Sequence, residues 1–234
     1  MENYYKAHTK FYLAVDCIIF GFDEDGLKLL VVKRDFEPGK GQWSLVGGFL
    51  SQGENLDEAA QRILHKLTGL ENIYLEQLAT YGEPARDSAA RVVSIAYYAL
   101  ISTTKFKENK SNRNACWYPL NGLPNLIFDH NQMVAKAILR LRRKAASRPI
   151  GFELLPAQFT LPQMQALYES IYQQQIDKRN FRKKILSMNI LEKLPEKDMT
   201  GSKRGAYKYK FNPSKYNELL NNGYHFEIIN NGKQ

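Results

Sequence analysis

A chain of 234 residues with 44% hydrophobic and 24% charged side chains has the balance of a globular protein and the length for one large or two small domains. No apolar run reaches the roughly 18 residues of a membrane span. The start "MENYYKAHTK" lacks the apolar core of a secretory signal, and the two cysteines, Cys17 and Cys116, read as free thiols of a reducing cytoplasm.

Along residues 10–101 the sequence alternates strands with one helix. "FYLAVDCIIF" (11–20) and "LKLLVVKRD" (27–35) are apolar and β-branched, with "DEDG" as the turn between them. "GQWSLVGGFL" (41–50) is extended. A helix is expected from Asn55 to about Thr68, because Asn55 and Glu58 have capping-box spacing and Gly69 stands where a helix-ending glycine belongs. Strands follow at 72–81 and 91–101 around "GEPARDSAA", and "FDHNQMVAKAILRLRRKAA" (128–146) reads as a helix with Asp129 as its N-cap. Pro149 and Pro156 punctuate a boundary. Beyond it come a helix over 162–172 with Thr160 as cap, a second over 177–188 with Asp177 as cap, and two strand-like ends around a Gly/Ser/Lys/Arg tip.

Charge is segregated along this order. Residues 131–234 hold 19 of the 33 Lys/Arg and 8 of the 24 Asp/Glu, a net of +11 against −2 for residues 1–130. A basic module at one end suits a polyanionic partner, and helix, turn, basic helix and hairpin is the order of a winged helix-turn-helix. The expected fold class is α+β. A domain over residues 1–147 is followed by a winged helix-turn-helix over 148–226.

The frame Gly48–x5–Glu54–x7–Arg62 … Gly69–Leu70 resembles the Nudix box, so the first domain is expected to be a Nudix-like α/β/α sandwich. The resemblance implies glutamates at three positions that carry Ile63, Lys66 and Leu67 here. These share one helical face, which in Nudix enzymes holds the divalent metals that drive pyrophosphate hydrolysis. Hard cations need oxygen ligands, and this face offers two hydrocarbons and an ammonium. Glu54, Asp57 and Glu58 are a substitute carboxylate set by spacing. However, Glu54 lies about 180° round the helix from position 63, and first-turn acids serve capping and the helix dipole. The sequence therefore predicts a non-catalytic Nudix fold with no catalytic residues, no metal and no cofactor. A hydrolase with residual activity is the rival reading.

Several stretches together, "GQWSLVGGFL", "EQLATYGEPARDSAARVVSIAYYALI", "NLIFDH", "LLPAQFTLPQMQALYESIY" and "DKRNFRKKIL", resemble the Nudix-related transcriptional regulators, bacterial proteins that fuse an effector-binding Nudix domain to a winged helix. One branch responds to ADP-ribose and controls NAD metabolism (NrtR-type); another is proposed to respond to L-arabinose (AraR-type). The ADP-ribose branch carries an arginine and a glycine where this chain has Ala89 and Ala90, and an arginine is a natural diphosphate partner. On that ground L-arabinose is the expected effector and ADP-ribose the alternative.

The candidate effector residues are Asp16, an acid inside an apolar strand, with Lys33, Arg34, Trp43, Phe49 and Arg86. Arg86 and Asp87 are also read as ordering their own loop. On the second helix of the winged module, Phe181, Ile185 and Met188 form the apolar side. Arg179, Asn180 and Arg182 are the candidates for base edges. Lys178, Lys183 and Lys208 are the candidates for phosphates, and Lys203 and Arg204, at the hairpin tip, for the minor groove or the backbone. The expected whole is a cytoplasmic homodimeric repressor on a palindromic operator of double-stranded DNA, released by its effector. An RNA- or protein-binding module is the third reading.

Overall fold

The computed structural model describes residues 6, 8–103, 114–200 and 204–222. Two compact units emerge. One comprises Met1–Phe20, Leu29–Ala99 and Thr104–Ala137; the other comprises Gly21–Lys28, Leu100–Thr103 and Ile138–Gln234.

The larger sheet, most of it in the first unit, is built from β1 (Tyr12–Asp23), β2 (Gly26–Lys33), β3 (Trp43–Ser44), β4 (Val46–Phe49), β5 (Glu76–Tyr81), β6 (Val92–Ser102) and β7 (Ala115–Pro119). Its order is β3–β2–β1–β6–β5, with β4 paired to β1 and β7 to β2. Val15 to Phe20 are buried without interruption along β1, the mark of a strand covered on both faces. β7 has no counterpart among the strands expected from sequence. "ACWYP" is too short to show a period, and its place beside β2 comes from long-range pairing.

Helix α1 (Leu56–Thr68) starts where its caps dictate. Asn55 Oδ1 accepts from the Glu58 amide, Glu58 returns a bond to the Asn55 amide, and Gly69 closes the helix at φ 72°. Helix α2 (His130–Ser147) begins one residue after Asp129, whose carbonyl takes the Met133 amide.

In the second unit β8 (Phe159–Thr160), α3 (Leu161–Tyr172), α4 (Lys178–Ser187), β9 (Leu191–Asp198) and β10 (Ala206–Phe211) form a winged helix, with sheet order β8–β10–β9. Thr160 caps α3 through a full capping box with Gln163, and Asp177 caps α4 by accepting from the Asn180 amide. Tyr168, Phe181 and Ile185 fill the core beneath the two helices. A fifth helix, α5 (Pro213–Asn221), was not expected. Asn212 caps it with Pro213 in the first turn, and Phe211 and Tyr216 pack beside Phe152.

Asn55→Ala removes one half of a two-bond cap. It is expected to cost about 1 kcal/mol, measured as a lower urea midpoint at unchanged m-value.

Candidate functional site

Asp16 is 5% exposed in the middle of β1. In the β1–β4 register it faces Gly47, where a Cβ would collide with Asp16 Oδ1 and approach the Val15 carbonyl to 3.2 Å. A glycine at 47 thus lets the second strand close over a buried carboxylate. Ser94 donates to Asp16 Oδ2 at 2.5 Å, and the Arg86 guanidinium lies 3.7 Å from the same oxygen. Arg86 turns its fork on Asp129, with Nε–Oδ2 at 3.0 Å and Nη2–Oδ1 at 2.7 Å. This planar two-bond geometry is the strongest form of the pair. Asp129 therefore spends its side chain on Arg86, 43 residues away, rather than only on starting α2.

His130 completes the cluster. Its Nδ1 accepts from the Leu45 amide at 3.2 Å, which leaves the ring proton on Nε2, 3.6 Å from Asp16 Oδ1. Burial pushes the His130 pKa down, against the pull of Asp16, which favours the neutral imidazole in the fold. Phe128 sets its ring edge-on to His130 at 5.8 Å, and Arg34 lies over Phe128 at 5.8 Å and over Phe36 at 4.2 Å. Arg34 also donates to the Pro38 carbonyl. Partial burial lowers its pKa, while Asp87, Asp16, Asp35 and Glu37 raise it.

The six residues proposed for effector contact thus fall into three groups. Asp16, Arg86 and Arg34 belong to one continuous set. Lys33 places its ammonium 5.8 Å over Trp43, whose ring meets Tyr118 at 5.1 Å. Phe49, 53% exposed, tilts against Tyr12. Ser94, Asp129, His130, Phe128 and Phe36 were missed as site residues. "IFDH" shows a helix start, but its pairing with Arg86 has no local signal.

On α1, Ile63 is buried against Gly48, Leu67 is half-buried and Lys66 is exposed. The first-turn acids and the acid before them are engaged in structure. Glu54 binds Arg62 through both oxygens, at 2.5 and 2.7 Å, and takes the Ser51 amide at 2.6 Å. Arg62 also donates to the Phe49 carbonyl. The hydrogen bond from Arg62, then the Ser51 amide, hold the Glu54 pKa down at about 2. Asp57 accepts from Tyr97, and Glu58 is in the capping box. Among the described residues no group of three or more His, Cys, Asp or Glu is arranged to hold a metal ion. The donor set does not fit the divalent metals of the Nudix fold: the face that should carry them is hydrocarbon and ammonium.

In the winged helix, α4 buries Phe181 and Ile185 and leaves Lys178, Arg179, Asn180, Arg182 and Lys183 exposed. Arg204 is exposed in the turn before the returning strand and Lys208 is half-buried on that strand. Lys203 lies outside the described residues.

Residues 10–139 match the NUDIX domain family, and residues 151–211 match the NrtR DNA-binding winged helix domain. The chain is 32% identical over 204 residues to an ADPR (ADP-ribose) responsive transcriptional repressor of Acinetobacter baylyi, covering 85% of this chain and 81% of that one. It is 34% identical over 130 residues to an ADP-ribose pyrophosphatase of Methanocaldococcus jannaschii, covering 56% of this chain and 75% of the relative. Shewanella oneidensis NrtR, solved in complex with a 27mer DNA, superposes with a TM-score of 0.78 at 29% identity, covering 93% of this chain and 99% of the other. These likenesses run to the ADP-ribose-responsive branch and not to the arabinose-responsive one, which corrects the sugar expectation.

Asp129→Ala leaves the Arg86 guanidinium buried with one carboxylate fewer. The expected cost is about 3 kcal/mol, read by urea unfolding. His130 sets a pH dependence. Its folded pKa is depressed, so stability is fully present above the ordinary histidine range and is lost as pH falls through it. His130→Asn, which keeps an acceptor for the Leu45 amide, is expected to flatten that limb in unfolding curves taken across pH.

Proposed function

We propose that this chain, which belongs to the Nudix-related transcriptional regulators with an NrtR-type winged helix, is a repressor released from operator DNA by ADP-ribose. The observation that carries this reading is the union, on one chain, of a basic winged helix with a Nudix unit whose metal face has become Ile63, Lys66 and Leu67. Without a dication the cleft lacks the means to activate water and to neutralise a pyrophosphate leaving group. It keeps the means to bind, and binding is all that a sensor requires.

ADP-ribose offers two phosphate charges, ribose hydroxyls and a base. Arg34 and Lys66 meet the diphosphate as direct cations where hydrolases use metal. Phe36, exposed and already stacked on Arg34, presents a flat apolar surface to the base. Asp16, Arg86, Asp129 and His130 stand behind this surface as its rigid support. The names of the Acinetobacter and Methanocaldococcus relatives favour this effector.

The effector domain spans residues 1–147 and the DNA-binding domain 148–226. Helix α4 enters the major groove, with Arg179, Asn180 and Arg182 toward base edges and Lys178 and Lys183 toward phosphates. Arg204, Lys203 and Lys208 supply further backbone contacts. The protein acts as a homodimer on a palindromic operator, because a helix-turn-helix reads two half-sites through its own two-fold symmetry. ADP-ribose lowers DNA affinity by binding preferentially to the dimer geometry whose recognition helices do not match the half-sites.

Calorimetry in EDTA is expected to show ADP-ribose binding without metal. At a hundredfold excess over Kd the nucleotide raises stability by about 2.7 kcal/mol, and L-arabinose does neither. Arg34→Ala is expected to weaken ADP-ribose at least about tenfold, the worth of one charge-assisted contact, with duplex affinity unchanged. No ADP-ribose binding, or binding that requires Mg²⁺, overturns the reading.

A further inference from the structure

The wing hairpin is rich in charge. On β9, Lys193 and Lys197 each follow a glutamate, Glu192 and Glu196, and the pairing with β10 is irregular between the two lysines. On β10, Lys210 stands opposite Glu192 in register. Lys208 acts on Asp198, whose pKa is lowered first by the Thr200 hydroxyl, then by the Thr200 amide, and also by Lys208. The lysines of β10 thus have a carboxylate in their neighbourhood, whereas the Lys197 ammonium donates to the Arg204 carbonyl at 3.4 Å.

Lys193 and Lys197 are differently placed. Both are exposed, and both direct their ammonium groups at one ring, that of Tyr207, at 3.6 and 4.7 Å from its centroid. Among the described residues no carboxylate is paired with either. Tyr207 reaches this position because the β9–β10 register shifts between Tyr207 and Tyr209. Tyr209 points into the core at 4% exposure, whereas Tyr207 stays out at 37%. A bulge of this kind re-aims a side chain.

We propose that the Lys193–Tyr207–Lys197 face is the surface by which the wing grips the phosphodiester backbone of duplex DNA, a partner face distinct from the hairpin tip and from Lys208. The inference rests on the DNA-binding reading above and refines it. One ring holding two ammonium groups works against their mutual repulsion, and an anion placed beside both relieves it. The ring also limits the freedom of two long side chains before the partner arrives, so less is lost on binding. Phosphate is the fitting anion because contacts of this kind fix position without reading sequence. A lysine ammonium is a compact point charge that suits a phosphate oxygen and lacks the planar fork of arginine.

The test uses the full-length protein and two fluorescent duplexes, one enriched by the protein from a randomised pool and one of scrambled sequence, titrated across a KCl series. Lys193→Ala/Lys197→Ala is expected to weaken both duplexes by a similar factor and to reduce the slope of log affinity against log salt by about 1.8, at about 0.9 per phosphate contact. Tyr207→Phe keeps the ring and behaves as wild type. Tyr207→Ala weakens both duplexes severalfold with the slope retained, because the charges remain and only their placement is lost. Lys208→Ala/Lys210→Ala reduces the slope by less than half as much. Thermal melting checks that each variant is folded. A Lys193→Ala/Lys197→Ala protein with wild-type affinity and slope overturns the inference, while an Arg179→Ala loss on the enriched duplex alone leaves the DNA reading standing. Absence of salt-dependent duplex binding by the wild type overturns both.

Discussion

A buried guanidinium held between two carboxylates organises the Nudix unit. Arg86 binds Asp129 with both arms of its fork and reaches toward Asp16, while His130 and Ser94 satisfy the rest of Asp16. The set draws on β1, β6, the loop before β6 and the start of α2, so these four segments are fixed by one another. Charges at this depth persist only when paired and hydrogen-bonded, and removing any member strands the others. The strand that closes over them needs Gly47, since any side chain there meets Asp16. Arg34 and Phe128 continue this set outward, Phe128 edge-on to His130 and Arg34 over Phe128.

The α1 helix keeps the frame of the Nudix box with Ile63, Lys66 and Leu67 at three of its glutamate positions. Glu54, Asp57 and Glu58 remain, and each has structural work: an ion pair with Arg62, an acceptor for Tyr97, and a cap. Gly48 packs on Ile63, so the hydrocarbon that replaced a metal ligand is now part of the core. Restoring an acid at 63 would bury a charge there as well as recreate a ligand. The glycines and caps that shape the cleft are thus independent of the carboxylates that hydrolysis needs.

Local features were legible in the sequence and long-range ones were not. The Asn55–Glu58 box, Gly69, and the caps at Thr160 and Asp177 appear where residue type and spacing placed them, because caps depend on neighbours three or four residues away. The burial of Phe181, Ile185 and Met188 followed from helical period alone. Asp16 stood out as an acid in an apolar strand, but its partners come from residues 86, 94 and 130. Arg86 reads in the sequence as an effector candidate or as a residue ordering its own loop, and Asp129 as a cap; their pairing spans 43 residues and leaves no local signal. α5 carried a readable signal in Asn212 and Pro213, which was passed over as the end of a hairpin. The arabinose expectation rests on the absent arginine at 89 and on the hydrocarbon metal face, whereas the relatives run to the ADP-ribose-responsive branch.

The central claim is that the Nudix cleft senses a nucleotide without cleaving it. Its most direct test adds ADP-ribose and Mg²⁺ to the protein bound to a labelled duplex, following anisotropy and nucleotide composition in the same sample. The account predicts that the duplex is released while ADP-ribose stays intact. Conversion of ADP-ribose to AMP and ribose phosphate by the protein, or a duplex that stays bound at saturating nucleotide, would contradict it.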